Sequence, residues 1–172
     1  MDVLGLNDVI HVSHLLSKKS FRKLTKNEKS GLKQIFQGSI DYDLIWIDDQ
    51  SNVGLKRLAR AYVLFNTINF SSEIDFPTLT HETVHIWQYQ NLGSMYLGRA
   101  LAAQNSEDPY NFGGEQQLYN DMIQGKELLS YNFEQQGAIF EFLVGLKMEN
   151  IPHPLFFPIF RFYQEQLYRF CK

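Results

Sequence analysis

Leu79-Thr80-His81-Glu82-Thr83-Val84-His85-Ile86-Trp87-Gln88 is the stretch from which the rest of the chain is read. It contains the pattern H-E-x-x-H. On a helix, residues four apart lie on one face, one turn above each other. His81 and His85 then aim two imidazoles at one point, and neutral imidazole nitrogen is a standard zinc ligand. Glu82 is rotated by about 100° from His81 around the helix axis. That places it in reach of a water at the ion rather than of the ion itself. Two ligands and a general base share one helix.

The flanks predict that this stretch is helical. Asp75 or Ser72 can cap its start, and Pro77 suits a first turn whose amides lack partners. Gly93 follows the last periodic residue, where helices commonly stop. Leu79, Val84, Ile86, Trp87 and Leu92 do not form one narrow stripe, which predicts a buried helix. Polar groups on a buried helix need partners, since each unpaired one costs roughly a few kcal/mol. A metal ion supplies a partner for both histidines.

The chain has 172 residues, enough for one domain spanning 1–172 with a sizeable core. Its net charge of -3 argues against a general nucleic-acid binder, which needs clustered Lys and Arg. The short basic run at Lys18, Lys19, Arg22, Lys23, Lys26 and Lys29 reads as a solvated helix face. Cys171 is the single cysteine, so no intramolecular disulfide forms. The first residues, MDVLGLNDVIHV, lack a basic start and a continuous apolar run, and no stretch approaches the length of a membrane span. The expected location is cytoplasmic, or outside the cell without a classical signal peptide.

In chain order, residues 7–20 read as an amphipathic helix carrying His11 and His14, and Asn27–Gln37 as a second helix ended by Gly38. Tyr42–Ile47 is rich in β-branched and aromatic residues and reads as a strand, followed by a turn at Asp48–Asn52. Arg60–Phe70 reads as one further strand, whose edge would suit an extended peptide. Helices are expected over 94–104 and 132–148, the second opened by a capping box from Asn132 and Gln135. A last aromatic helix follows over 159–170.

A catalytic zinc takes three protein ligands and keeps a position for water or substrate. Gln88 and Asn91 stand where an H-E-x-x-H-x-x-G-x-x-H helix would have Gly and His, so that version is excluded. A later Glu remains, from Glu115, Glu127, Glu134, Glu141 and Glu149, with His153 as a further option. Glu134 is preferred. It sits in the first turn of a largely apolar helix, where the helix dipole favours a carboxylate and burial demands a countercharge. Glu141, two turns on at a similar angle, is placed to accept a hydrogen bond from a ligand histidine. Tyr131, Tyr119 and His153 are candidates to donate to an oxyanion, with Tyr131 preferred because it lies three residues before Glu134.

HETVHIWQYQ (81–90) followed by YNFEQQGAI (131–139) resembles the gluzincin class of zinc metallopeptidases. More closely it resembles small bacterial zincin-like proteins with an H-E-x-x-H-x-W-Q helix and a later Y-N-x-E-Q-Q-A segment, some associated with Vgr/Rhs-type secretion elements. The likeness covers mainly residues 40–145. It implies His81, His85 and Glu134 as metal ligands and Glu82 as catalytic base. Gly137 departs from the Ala expected there but keeps a small residue.

The expected fold is α+β and zincin-like. A small sheet from residues 41–70 packs on the buried metal helix, and a mainly helical C-terminal half follows. The expected function is zinc-dependent hydrolysis of a peptide or protein substrate. The alternative is a non-catalytic zinc-binding module, or an effector or adaptor on a peptidase fold. In that case the aromatic segment IPHPLFFPIF (151–160) is the partner surface.

Overall fold

Helices in this chain begin where the sequence offers a cap. Thr25 and Glu28 form a reciprocal capping box that starts α1 (Lys26–Phe36). Asp75 accepts from the Thr78 amide at 2.8 Å and starts α2 (Phe76–Leu92), with Pro77 in its first turn. Gly93, at φ +59°, follows its last residue. A left-handed Gly113 precedes α3 (Gly114–Ile123), and a second capping box, Asn132 with Gln135, starts α4 (Phe133–Met148). The last helix, α5, covers Phe156–Arg169. The computed structural model describes residues 21–50, 61–93, 103, 107–149 and 153–169. The helix expected over 7–20 with His11 and His14, nearly all of the one expected over 94–104, and Cys171 lie outside these residues.

The fold is α+β. Among the described residues, four short strands, β1 (Phe21–Arg22), β2 (Trp46–Asp48), β3 (Ala61–Leu64) and β4 (Thr67–Phe70), form one mixed sheet in the order β1-β2-β4-β3. β2 runs parallel to β4, with Ile47 opposite Ile68. The β1–β2 and β3–β4 pairs are antiparallel.

Two strand expectations are corrected. Of the strand expected over 60–70, the described residues 61–70 form not one strand but a hairpin, in which Leu64 pairs with Thr67 and leaves Phe65-Asn66 as the loop. Phe65 takes a φ of +55°, which such two-residue loops require and bulky residues seldom adopt. Tertiary contacts hold it there. Its ring packs edge-on against Tyr89 of α2, with centroids 5.6 Å apart. The Asn66 side chain accepts from Gln90 of α2 at 2.9 Å. The strand expected over 42–47 begins only at Trp46. Asp41 accepts from the Asp43 amide and turns Tyr42–Leu44 into a single 3-10 turn.

The core lies between the sheet, α1 and the C-terminal helices. α2 is its centre: every residue from Thr78 to Gln88 is buried. α2 packs most extensively on α4 and also touches β3, β4 and α1. The Trp87 indole N–H donates to the Leu167 carbonyl of α5 at 3.1 Å, which ties the last helix to the central one. In the aromatic segment, Phe156 and Ile159 point into this core, while Phe157 stands out at 76% exposure. Among the described residues, no helix is long and apolar enough to cross a membrane.

Candidate metal centre

The α2–α4 packing brings two sequence segments together around His81 and His85. Glu134 enters from the first turn of α4. Its Oε2 lies 3.4 Å from His81 Nε2 and 3.4 Å from His85 Nε2. The three ligand atoms fall within 4.8 Å of one another, and all three residues are buried. Two ligands at the usual zinc bond lengths around a tetrahedral centre stand about 3.3–3.4 Å apart. The observed Nε2···Oε2 spacing is compatible with that separation, and as a hydrogen bond it is at the long end, the typical range being about 2.7–3.2 Å.

The outer nitrogens of both rings are fixed. His81 Nδ1 lies 2.9 Å from Glu141 Oε2. A carboxylate only accepts, so Nδ1 carries the proton and Nε2 faces Glu134. Thr78 donates to the other oxygen of Glu141. His85 Nδ1 contacts Gln88 Oε1 at 2.8 Å.

The electrostatics favour positive charge at this point. Burial alone would lower the His81 pKa, but hydrogen bonds to Glu134 and Glu141 outweigh it and push it up to about 10. Glu134 is opposed by burial in the same way, yet the two histidines hold its carboxyl well below the ordinary range. Burial raises the Glu82 carboxyl, against the opposing pull of His85 and His81. Glu134 Oε1 and Glu82 Oε2 are buried and have no hydrogen-bond partner among the described residues. A buried carboxylate oxygen left in this way is costly. A divalent cation among His81, His85 and Glu134 would remove much of that cost, so this group could hold a metal ion.

Gly137 explains how α4 comes so close. A Cβ placed there would meet His81 Nε2 at 2.7 Å and the neighbouring ring carbons at 2.8 Å. Glu134, Gly137 and Glu141 are three and then four residues apart, so they share one helix face. The glycine leaves room for the His81 ring between the two carboxylates. Glycine at 137 is therefore a close-packing requirement. A Gly137→Ala chain is expected to fold with the His81 ring displaced and zinc affinity down at least about tenfold, read by calorimetric titration. Wild-type affinity would show that the ring can yield without cost.

Other sequence candidates lie elsewhere. The Tyr131 hydroxyl donates to Asp121 Oδ2 and shares a contact with the Tyr163 hydroxyl. Lys126 also binds Asp121 and lies over the Tyr131 ring. This buried network commits the Tyr131 hydroxyl away from the role of oxyanion donor that its sequence position suggested. His153 lies between Glu115 and Glu149 at 3.8 and 3.7 Å. The tyrosine beside the centre is Tyr110, whose ring centroid is 6.0 Å from that of His81. It is 49% exposed. Burial first, then Glu134, Glu82 and Glu141, raise the pKa of its hydroxyl, which keeps it a proton donor. Tyr110 sits in a segment of loop composition, and nothing in its local sequence marks it.

Comparison with protein-family models, with curated proteins and with solved structures found no match.

Proposed function

We propose that this chain is a zinc-dependent peptidase of gluzincin type. One observation supports the reading above the others. His81, His85 and Glu134 converge, and beside them Glu82 keeps a buried carboxylate oxygen with no hydrogen-bond partner among the described residues. A purely structural metal site has no use for such a group. A general base needs it.

His81 Nε2, His85 Nε2 and Glu134 Oε2 would hold the ion. A bound zinc supplies Lewis-acid polarisation and lowers the pKa of a water to about 7. Glu82 accepts the proton released from the attacking water at its open oxygen and returns it to the leaving amine. Tyr110, protonated and beside His81, is the donor proposed for the developing oxyanion. β3 ends the strand order and packs on α2, so it is the strand along which an extended peptide would be added to the sheet.

The test is metal-dependent hydrolysis of a mixed peptide library. Dialysis against a chelator is expected to abolish cleavage, and added zinc to restore it. Cleavage that survives complete metal removal, or none in zinc-loaded protein, would contradict the reading.

A further inference from the structure

Both sequence segments of the centre carry a glutamine whose role their ligand residues leave open: Gln88 after the H-E-x-x-H pattern, and Gln136 after Glu134. Both are fully buried. We propose that Gln88 and Gln136 are positioning residues, a directed amide ladder that fixes the tautomer of His85 and turns its Nε2 toward Glu134. The proposal rests on the reading of His85 as a metal ligand and adds what selects its ligand atom.

The direction of the ladder follows from its ends. Gln136 Nε2 donates to the Tyr131 carbonyl at 2.9 Å. Gln88 Nε2 donates to the Phe133 carbonyl at 3.1 Å and to Gln136 Oε1 at 2.9 Å. Main-chain carbonyls only accept. Both amide nitrogens are therefore held on the carbonyl side, and Gln88 Oε1 is left facing His85 Nδ1 at 2.8 Å. An oxygen acceptor there holds a proton on Nδ1. His85 Nε2, which faces Glu134 Oε2 at 3.4 Å, then presents its lone pair when an ion takes the place of any proton shared with that carboxylate.

Reversing either amide is unfavourable. A flipped Gln88 would set its oxygen against the Phe133 carbonyl and Gln136 Oε1, with no donor between them. It would also present an N–H to His85 Nδ1 and move the ring proton to Nε2, the ligand position. Buried polar groups left this way are costly. The two anchoring carbonyls, Tyr131 and Phe133, flank the Asn132 cap and lie just before Glu134. The backbone that delivers the third ligand thus also sets the tautomer of the second. His81 Nδ1 faces a carboxylate, Glu141, in the corresponding position. For His85 the neutral ladder takes that position without adding a further negative charge to the centre.

Two measurements test this. The first is the protonation of His85 Nδ1 in unaltered, metal-free protein, read from two-bond nitrogen–proton couplings of isotope-labelled histidine. A proton on Nδ1 is expected, whether or not Nε2 shares one with Glu134, and a bare Nδ1 would overturn the proposal. This result does not depend on whether the chain binds zinc. The second is zinc affinity of Gln88→Met and Gln136→Met beside Gln166→Met. Gln166 is another buried glutamine, but it bonds to Leu128 and Phe162 and touches no histidine in these bonds. The first two variants are expected to bind zinc about 10–100-fold more weakly, with His85 a mixture of tautomers, while Gln166→Met loses stability and keeps its affinity. Equal affinities in all three folded variants would reduce the ladder to packing. Failure of unaltered protein to bind zinc would instead count against the metal reading, and the Nδ1 proton would still decide the ladder.

Discussion

A Glu82→Gln chain is expected to keep its zinc and lose peptide hydrolysis by about 10²–10⁴-fold, the usual contribution of a positioned general base. The substitution preserves side-chain shape on a fully packed helix, so the fold should tolerate it. It removes neither imidazole nor the Glu134 carboxylate, so the ligand set is intact. What it removes is the capacity to take a proton at an oxygen that makes no hydrogen bond among the described residues. Parallel metal analysis and single-turnover assays separate these outcomes. Unchanged turnover would rule out Glu82 as the base. Loss of metal together with turnover would mean that Glu82 helps to hold the ion.

A Glu134→Ala chain is expected to fail one step earlier, at binding. Four-ligand zinc sites provide roughly 10–16 kcal/mol in all, so one ligand is worth about 3 kcal/mol, or about a hundredfold in affinity. The loss should exceed that of any outer substitution, because Glu134 contacts both histidines and Glu141 and Gln88 one each. Competition titration with a chromophoric chelator reads the change. If affinity is unaltered, Glu134 is not a ligand.

Much of the centre was legible because its parts are local. The H-E-x-x-H spacing, the Asp75 cap and the Asn132–Gln135 capping box are short-range features, and they set α2 and the start of α4. Glu134 and Glu141 follow from helix periodicity once α4 is recognised. What was not legible depends on tertiary contact. The Phe65-Asn66 loop lacks the glycine that usually signals a tight hairpin, and Tyr89 and Gln90 of α2 hold the hairpin bend instead. Among Tyr131, Tyr119 and His153, the sequence points to Tyr131 because it lies three residues from Glu134. A residue just outside a helix need not share its face, and the Tyr131 hydroxyl turns to Asp121. The need for glycine at 137 appears only when the His81 ring is seen against it. The directed bond from Gln88 to Gln136 joins segments 48 positions apart, and neither segment alone predicts it.

Elemental analysis of untagged protein tests the central claim most directly. Purified without added metal and then given one equivalent of zinc, the wild-type chain is expected to retain about one ion per chain through gel filtration, and Glu134→Ala to retain much less. No metal in wild-type protein under the same conditions would contradict the claim that His81, His85 and Glu134 form a metal centre.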